Sequence, residues 1–127
     1  MHTVEELLNN LRRSKFRSSF SLTGDEIRYC REKGYDVIKK HAYDFINEKL
    51  RPAQPYNDGK QTPMKGHPVF KAMHACACCC RDCLNKWYHV PKNVELCDAD
   101  CDKIVSLLMA WVGDQIRKNG HSNCQGS

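Results

Sequence analysis

The chain has 127 residues, enough to close one hydrophobic core and too few for two in the ordinary case. With 41% hydrophobic residues, 28% charged residues and a mean hydropathy of -0.66, its composition excludes a disordered chain. The net charge of +5 is moderate, and the longest apolar stretch, around Leu107 to Val112, is far shorter than the roughly 20 residues a membrane-spanning helix needs.

The first predicted helix runs from Met1 to Ser14, with Val4, Leu7, Leu8 and Leu11 at spacings of three and four and a capping box of Thr3 and Glu6. Glu5, Glu6, Arg12 and Arg13 would interrupt the apolar core of a signal peptide, so a cytoplasmic protein with no membrane partner is expected. Lys15 to Leu22 is a basic connector. A second helix starts at Asp25 and ends at Gly34, and a third carries Val37, Ile38, Ala42, Phe45, Ile46 and Leu50 between Tyr35 and Leu50. From Arg51 to Gly66 the glycines and prolines are too dense for a regular element, and so long a loop in a small domain points to a functional segment. Pro68 reads as the first residue of a fourth helix, His67 to Tyr88, which meets no further glycine or proline before Pro91. Asp98 caps a fifth helix with an apolar stripe from Cys101 to Ile116, ending at Gly120. The expectation is an all-α single domain of about five helices over residues 1–120. Its long loop folds back over the start of helix four, and a flexible tail follows over 121–127.

The nine cysteines are an odd count, and Cys76, Cys78, Cys79, Cys80 and Cys83 crowd into one helix-compatible run, which argues against a disulfide framework. On a continuous helix Cys76, Cys80 and Cys83 share a face with Val69, Met73, Leu84 and Trp87, Cys79 lies at its border, and Cys78 lies opposite. Three thiols one turn apart can converge on a soft metal, zinc by preference, with a fourth ligand from Cys79, His67, His74, Cys97 or Cys101. The alternatives are reduced core cysteines, or a redox Cys80-x-x-Cys83 whose thiol pKa Arg81 and Lys86 lower. A cytidine-deaminase reading fails, because Cys76 replaces the general-acid glutamate and both halves fall in one short segment.

Charge is uneven along the chain. Residues 51–92 hold seven Lys and Arg against two Asp and Glu, whereas residues 93–127 hold three against five. Lys60, Lys65, Lys71, Arg81, Lys86 and Lys92 are candidates for phosphate contacts on nucleic acid or another anion, with Arg12, Arg13, Lys15 and Arg17 as a second basic group. Against this stands a plain solvated surface. His67 and His74, two helical turns apart, could both face the long loop. Trp87 falls on the apolar stripe, and Tyr88 is the freer ring for base stacking.

The run Asn57-Asp58-Gly59-Lys60-Gln61-Thr62-Pro63-Met64-Lys65-Gly66-His67-Pro68-Val69-Phe70 is followed by His74-Ala75, Cys79-Cys80-Arg81-Asp82-Cys83-Leu84 and Lys86-Trp87. This stretch resembles domain-of-unknown-function family 4186, a family of short bacterial proteins, and the similarity runs from about Phe16 to Ile116. The resemblance implies that Cys79, Cys80 and Cys83, with His67 and His74, belong to the shared pattern. It sets Cys76, Cys78, Cys97 and Cys101 apart, and places Tyr88 where the family has histidine. It implies no reaction, cofactor or partner. The expected function is a small zinc-binding domain that contacts nucleic acid through the basic loop and helix. The alternatives are a metal-dependent hydrolase acting on a phosphate or acyl substrate, with Lys60 and Lys65 holding the anion, and a structural protein with reduced cysteines.

Overall fold

A computed structural model of the chain describes residues 3–126, and their side chains as far as residue 118. It is all-α: six α-helices and one 3₁₀ turn, with no strand among the described residues. The helices are α1 (Val4–Arg12), α2 (Gly24–Lys33), α3 (Tyr35–Lys49), α4 (Pro68–Ala75), α5 (Arg81–Tyr88) and α6 (Asp98–Gly126), and the 3₁₀ turn spans Arg17–Ser19. The expected flexible tail, residues 121–127, lies outside the residues whose side chains are described.

The helix starts follow the local chemistry. The Thr3 hydroxyl accepts from the Glu6 N–H at 3.2 Å, and Thr23 and Glu26 complete a reciprocal capping box at α2. Gly34 ends α2 and starts α3 at φ +89°, in the left-handed region that glycine adopts most easily. The His67 side chain caps α4, its Nδ1 accepting from the Val69 N–H at 3.0 Å, with Pro68 in the first helical turn.

The core is built around α6, whose Ile104, Val105, Leu108 and Val112 meet α1, α2, α3 and α4. Leu8 and Leu11 come from α1, Ile27 from α2, Ile38, Ala42 and Ile46 from α3, and Val69 and Met73 from α4. Among the described residues, no helix is long and apolar enough to cross a membrane.

The expected continuous fourth helix is two helices, which raises the count from five to six. After Ala75 the chain closes a Schellman motif: Ala77 N–H donates to His74 O at 3.3 Å and Cys78 N–H to Met73 O at 2.8 Å, with Ala77 at φ +58°. Alanine at a position that usually takes glycine costs about 1 kcal/mol of backbone strain. The break therefore carries no glycine or proline to announce it. α5 restarts at Cys80, whose sulfur accepts from the Cys83 N–H at 3.4 Å, and ends at His89 in the left-handed region.

The long loop is irregular, as its composition predicts, and its hydrogen bonds include a set that reaches His74 at the end of α4 and Cys79 beyond it. The Thr62 hydroxyl donates to Cys79 O at 2.8 Å, and the carbonyls of Thr62 and Pro63 accept from His74 Nε2 at 3.1 and 3.2 Å. Gln61 ties the same segment back to Lys49 O at the end of α3.

Candidate metal centre

The turn between α4 and α5 decides which thiols meet. Reversal at Ala77 carries Cys79 and Cys80 round to face Cys83 in the first turn of α5, and the three sulfurs lie within 4.8 Å of one another. Cys79 Sγ and Cys83 Sγ are 3.5 Å apart. Two sulfurs on a tetrahedral zinc with 2.3 Å bonds would be separated by about 3.8 Å, so three thiolates could close on such an ion with small side-chain movements.

Arg17, in the 3₁₀ turn, holds this cluster from the other side. Its Nη1 donates to His74 O at 2.7 Å and faces Cys79 Sγ at 3.7 Å, while Nη2 faces Cys83 Sγ at 3.2 Å. The guanidinium also lies over the Phe16 ring and near Trp87. Cys79 is lowered to about 7: the hydrogen bond with Cys83 and the Arg17 N–H favour its thiolate and outweigh burial. Cys83 is pushed well above the thiol range, first by the same sulfur–sulfur bond and then by burial. Cys80 is raised, chiefly by burial.

The remaining predicted ligands lie elsewhere. His67 spends both ring nitrogens, accepting from Val69 at Nδ1 and meeting His41 Nδ1 through Nε2 at 3.0 Å, inside a ring of Tyr29, Phe45 and Phe70. His74 does face the loop, but its Nε2 points at two carbonyls and must carry the proton, with Phe20 stacked on the ring at 5.7 Å. Neither histidine joins the sulfur cluster. Cys101 is buried on α6, where Arg51 Nη1 faces its sulfur at 3.8 Å, and Cys97 is exposed. Cys76 and Cys78 are fully buried, and burial pushes both thiols up. The opposite-face position expected for Cys78 does not exist, because the helix that would have defined it is broken; its thiol donates to Cys76 O at 3.3 Å inside the core.

The anion-binding residues divide in the same way. Arg81 is 1% exposed, with Nη1 donating to Leu50 O (3.0 Å) and Pro52 O (2.7 Å) and Nη2 to Pro91 O (2.8 Å) and Val94 O (2.7 Å). It clamps the end of α3 to the loop after α5 and cannot reach a phosphate. Its Nε is the one buried side-chain polar atom without a partner among the described residues. Lys71 is paired with Glu26 at 2.7 Å and donates to Ser21 O. Lys92 pairs with Asp82. Lys60, Lys65 and Lys86 remain exposed. Tyr88 is not a free ring either: its hydroxyl donates to Cys76 O, and with Trp87 it lines a cleft of about 400 Å³ between α1, α5 and α6.

Arg17 is the participant that sequence reasoning missed. It stands in a basic group with Arg12, Arg13 and Lys15, and only the fold brings it across 62 and 66 residues to Cys79 and Cys83.

Fold and cluster together define a small cysteine-rich helical domain with three thiols arranged so that they could hold a metal ion. The chain matches the family described as Domain of unknown function (DUF4186) over residues 5–113, and it belongs to that family. No solved structure matches it.

Proposed function

We propose that the protein is a cytoplasmic metal-binding domain whose Cys79, Cys80 and Cys83 thiolates hold zinc. The observation that carries this reading is the convergence of three sulfurs within 4.8 Å at a helix-to-helix turn. Supporting it, Arg17 offsets the negative charge that three thiolates bring to a divalent ion. Zinc here would tie α4 to α5, so binding would add to folding stability. Elemental analysis of the protein purified under reducing conditions tests it: one zinc per chain is expected. Cobalt substitution should produce thiolate charge-transfer absorption, and Cys83→Ser should abolish both. A metal-free chain that stays metal-free after zinc is added and excess is removed rejects the reading.

Nucleic acid is the partner we propose for the exposed cations Lys60, Lys65 and Lys86. Three phosphate contacts predict a slope of about -2 to -3 for log affinity against log salt. Absence of binding at low salt removes this part and leaves the metal reading intact.

One observation favours a hydrolytic alternative: three protein ligands are the usual count for a catalytic zinc with its fourth position open. Against it, among the described residues no carboxylate or imidazole belongs to the cluster to serve as general base. Metal-edge spectroscopy showing an exchangeable oxygen ligand would support catalysis, and four sulfur or protein ligands would exclude it.

A further inference from the structure

The three sulfurs are not equivalent. Cys80 Sγ is committed to the backbone as the cap of α5. Cys79 and Cys83 face each other at 3.5 Å, and Arg17 spans the pair. A disulfide requires about 2.05 Å between sulfurs, so this pair needs to close by only about 1.5 Å. Access is narrow: Cys79 is 9% exposed, Cys83 is half-buried, and Cys76 and Cys78 are sealed in the core. Such a site admits a small oxidant and excludes a bulky disulfide reagent.

We infer that Cys79 and Cys83 form a peroxide-reactive dithiol, which a hydroperoxide converts to a disulfide. Where zinc is bound, that reaction removes two of its ligands. The Cys79 sulfur attacks the outer oxygen of ROOH; an S–O bond forms, the O–O bond breaks, and the alkoxide leaves with the electron pair, taking a proton from solvent to become ROH. The Cys83 sulfur then attacks the sulfenic sulfur of Cys79; the S–S bond forms, the S–O bond breaks, and hydroxide leaves with a proton as water. Two sulfurs lose two electrons, and ROOH is reduced to ROH and water. Arg17 supplies the fixed positive charge beside the oxygen on which negative charge develops. The metal-release step rests on the zinc reading, whereas the disulfide step does not.

The test uses the reduced full chain incubated with zinc and titrated with hydrogen peroxide. Differential alkylation and peptide mass mapping follow each thiol, and a chromophoric chelator follows released zinc. The expected result is a Cys79–Cys83 disulfide formed before the exposed Cys97 is modified, with zinc released at the same rate. Glutathione disulfide at equal concentration should react at least tenfold more slowly. Cys83→Ser should stop at a sulfenic acid on Cys79 that a 1,3-dione traps; the wild-type map decides the matter even where that variant folds poorly. Modification of Cys97 first, with Cys79 and Cys83 still alkylatable, overturns the inference, as does oxidation of Cys79 without Cys83. A chain that binds no zinc yet forms the disulfide rejects the metal reading and upholds the dithiol. A chain that holds zinc and resists peroxide does the reverse.

Discussion

Arg81 and Arg17 carry the same guanidinium, and both stand in the basic runs that sequence marked for phosphate binding, yet the fold gives them opposite tasks. Arg81 is sealed in the interior and fills its two terminal nitrogens with four backbone carbonyls from two loops. Arg17 is half-buried and gives one nitrogen to a carbonyl while both terminal nitrogens face ionisable sulfurs. Carbonyls are fixed dipoles, so Arg81 can only hold the chain together. Thiols change charge, so Arg17 alters what its partners can do chemically.

The largest expected effect breaks the structural side. Arg81→Ala strands four carbonyls and should cost about 3–5 kcal/mol, enough to threaten a domain whose total stability is about 5–15 kcal/mol. Denaturant unfolding would show it. Arg81→Lys should recover only part, because an ammonium cannot reach four carbonyls from one position.

Cys78 and Cys83 test where the boundary between the two sides runs. Cys78→Ser places a hydroxyl in the sealed core and should cost about 1–3 kcal/mol while zinc content holds. Cys83→Ser should lose zinc and stability together. If Cys78→Ser strips the metal, the boundary drawn at the Ala77 turn is wrong.

Acid sharpens the comparison by separating a third group. Burial, with His41 adding to it, lowers His67 to about 4. The unfolded chain takes up a proton near 6.5 that the folded chain refuses until about 4, so stability is full above 6.5 and falls as pH drops towards 4. The expected loss is roughly 1–2 kcal/mol for this partly exposed ring. Replacing His67 with glutamine should flatten that part of the stability profile, as measured by thermal unfolding from pH 4 to 7.

Arg17→Gln should have the smallest effect on folding, within about 1 kcal/mol for a partly exposed group. Its effect on chemistry should be distinct. In the metal-free protein the midpoint for Cys79 alkylation should rise from near 7 towards the ordinary thiol range. Iodoacetamide labelling across pH 6–9, mapped by peptide, reads this directly. An unmoved midpoint would leave Arg17 with a packing role only.

Much of this molecule was legible along the chain because caps and stripes are local. Thr3, Gly34 and Pro68 mark helix ends through contacts within a few residues, and the breakers from Pro52 to Gly66 mark the loop, whereas the Thr23 cap shows only in the structure. The thiols were legible as a set, since crowding is visible in the sequence. Their arrangement was not. Ala77 adopts a left-handed conformation without the glycine that usually signals it, so periodicity carried one helix through a reversal and gave Cys78 a face it does not have.

Sequence alone determined the all-α class, the single domain, the long loop and the short list of cysteines, because each depends on residue type and near spacing. Tertiary structure decided which three sulfurs meet, that His67 pairs with His41 instead, and that two cations of like appearance divide into a carbonyl clamp and a thiol partner. The sulfurs meet through the reversal at Ala77, at most four residues apart, whereas the His67–His41, Arg81–Leu50 and Arg17–thiol contacts span 26 to 66 residues and are brought together by burial of the core around α6. Residue type says that a guanidinium will seek acceptors; only the packed chain says which acceptors are within reach.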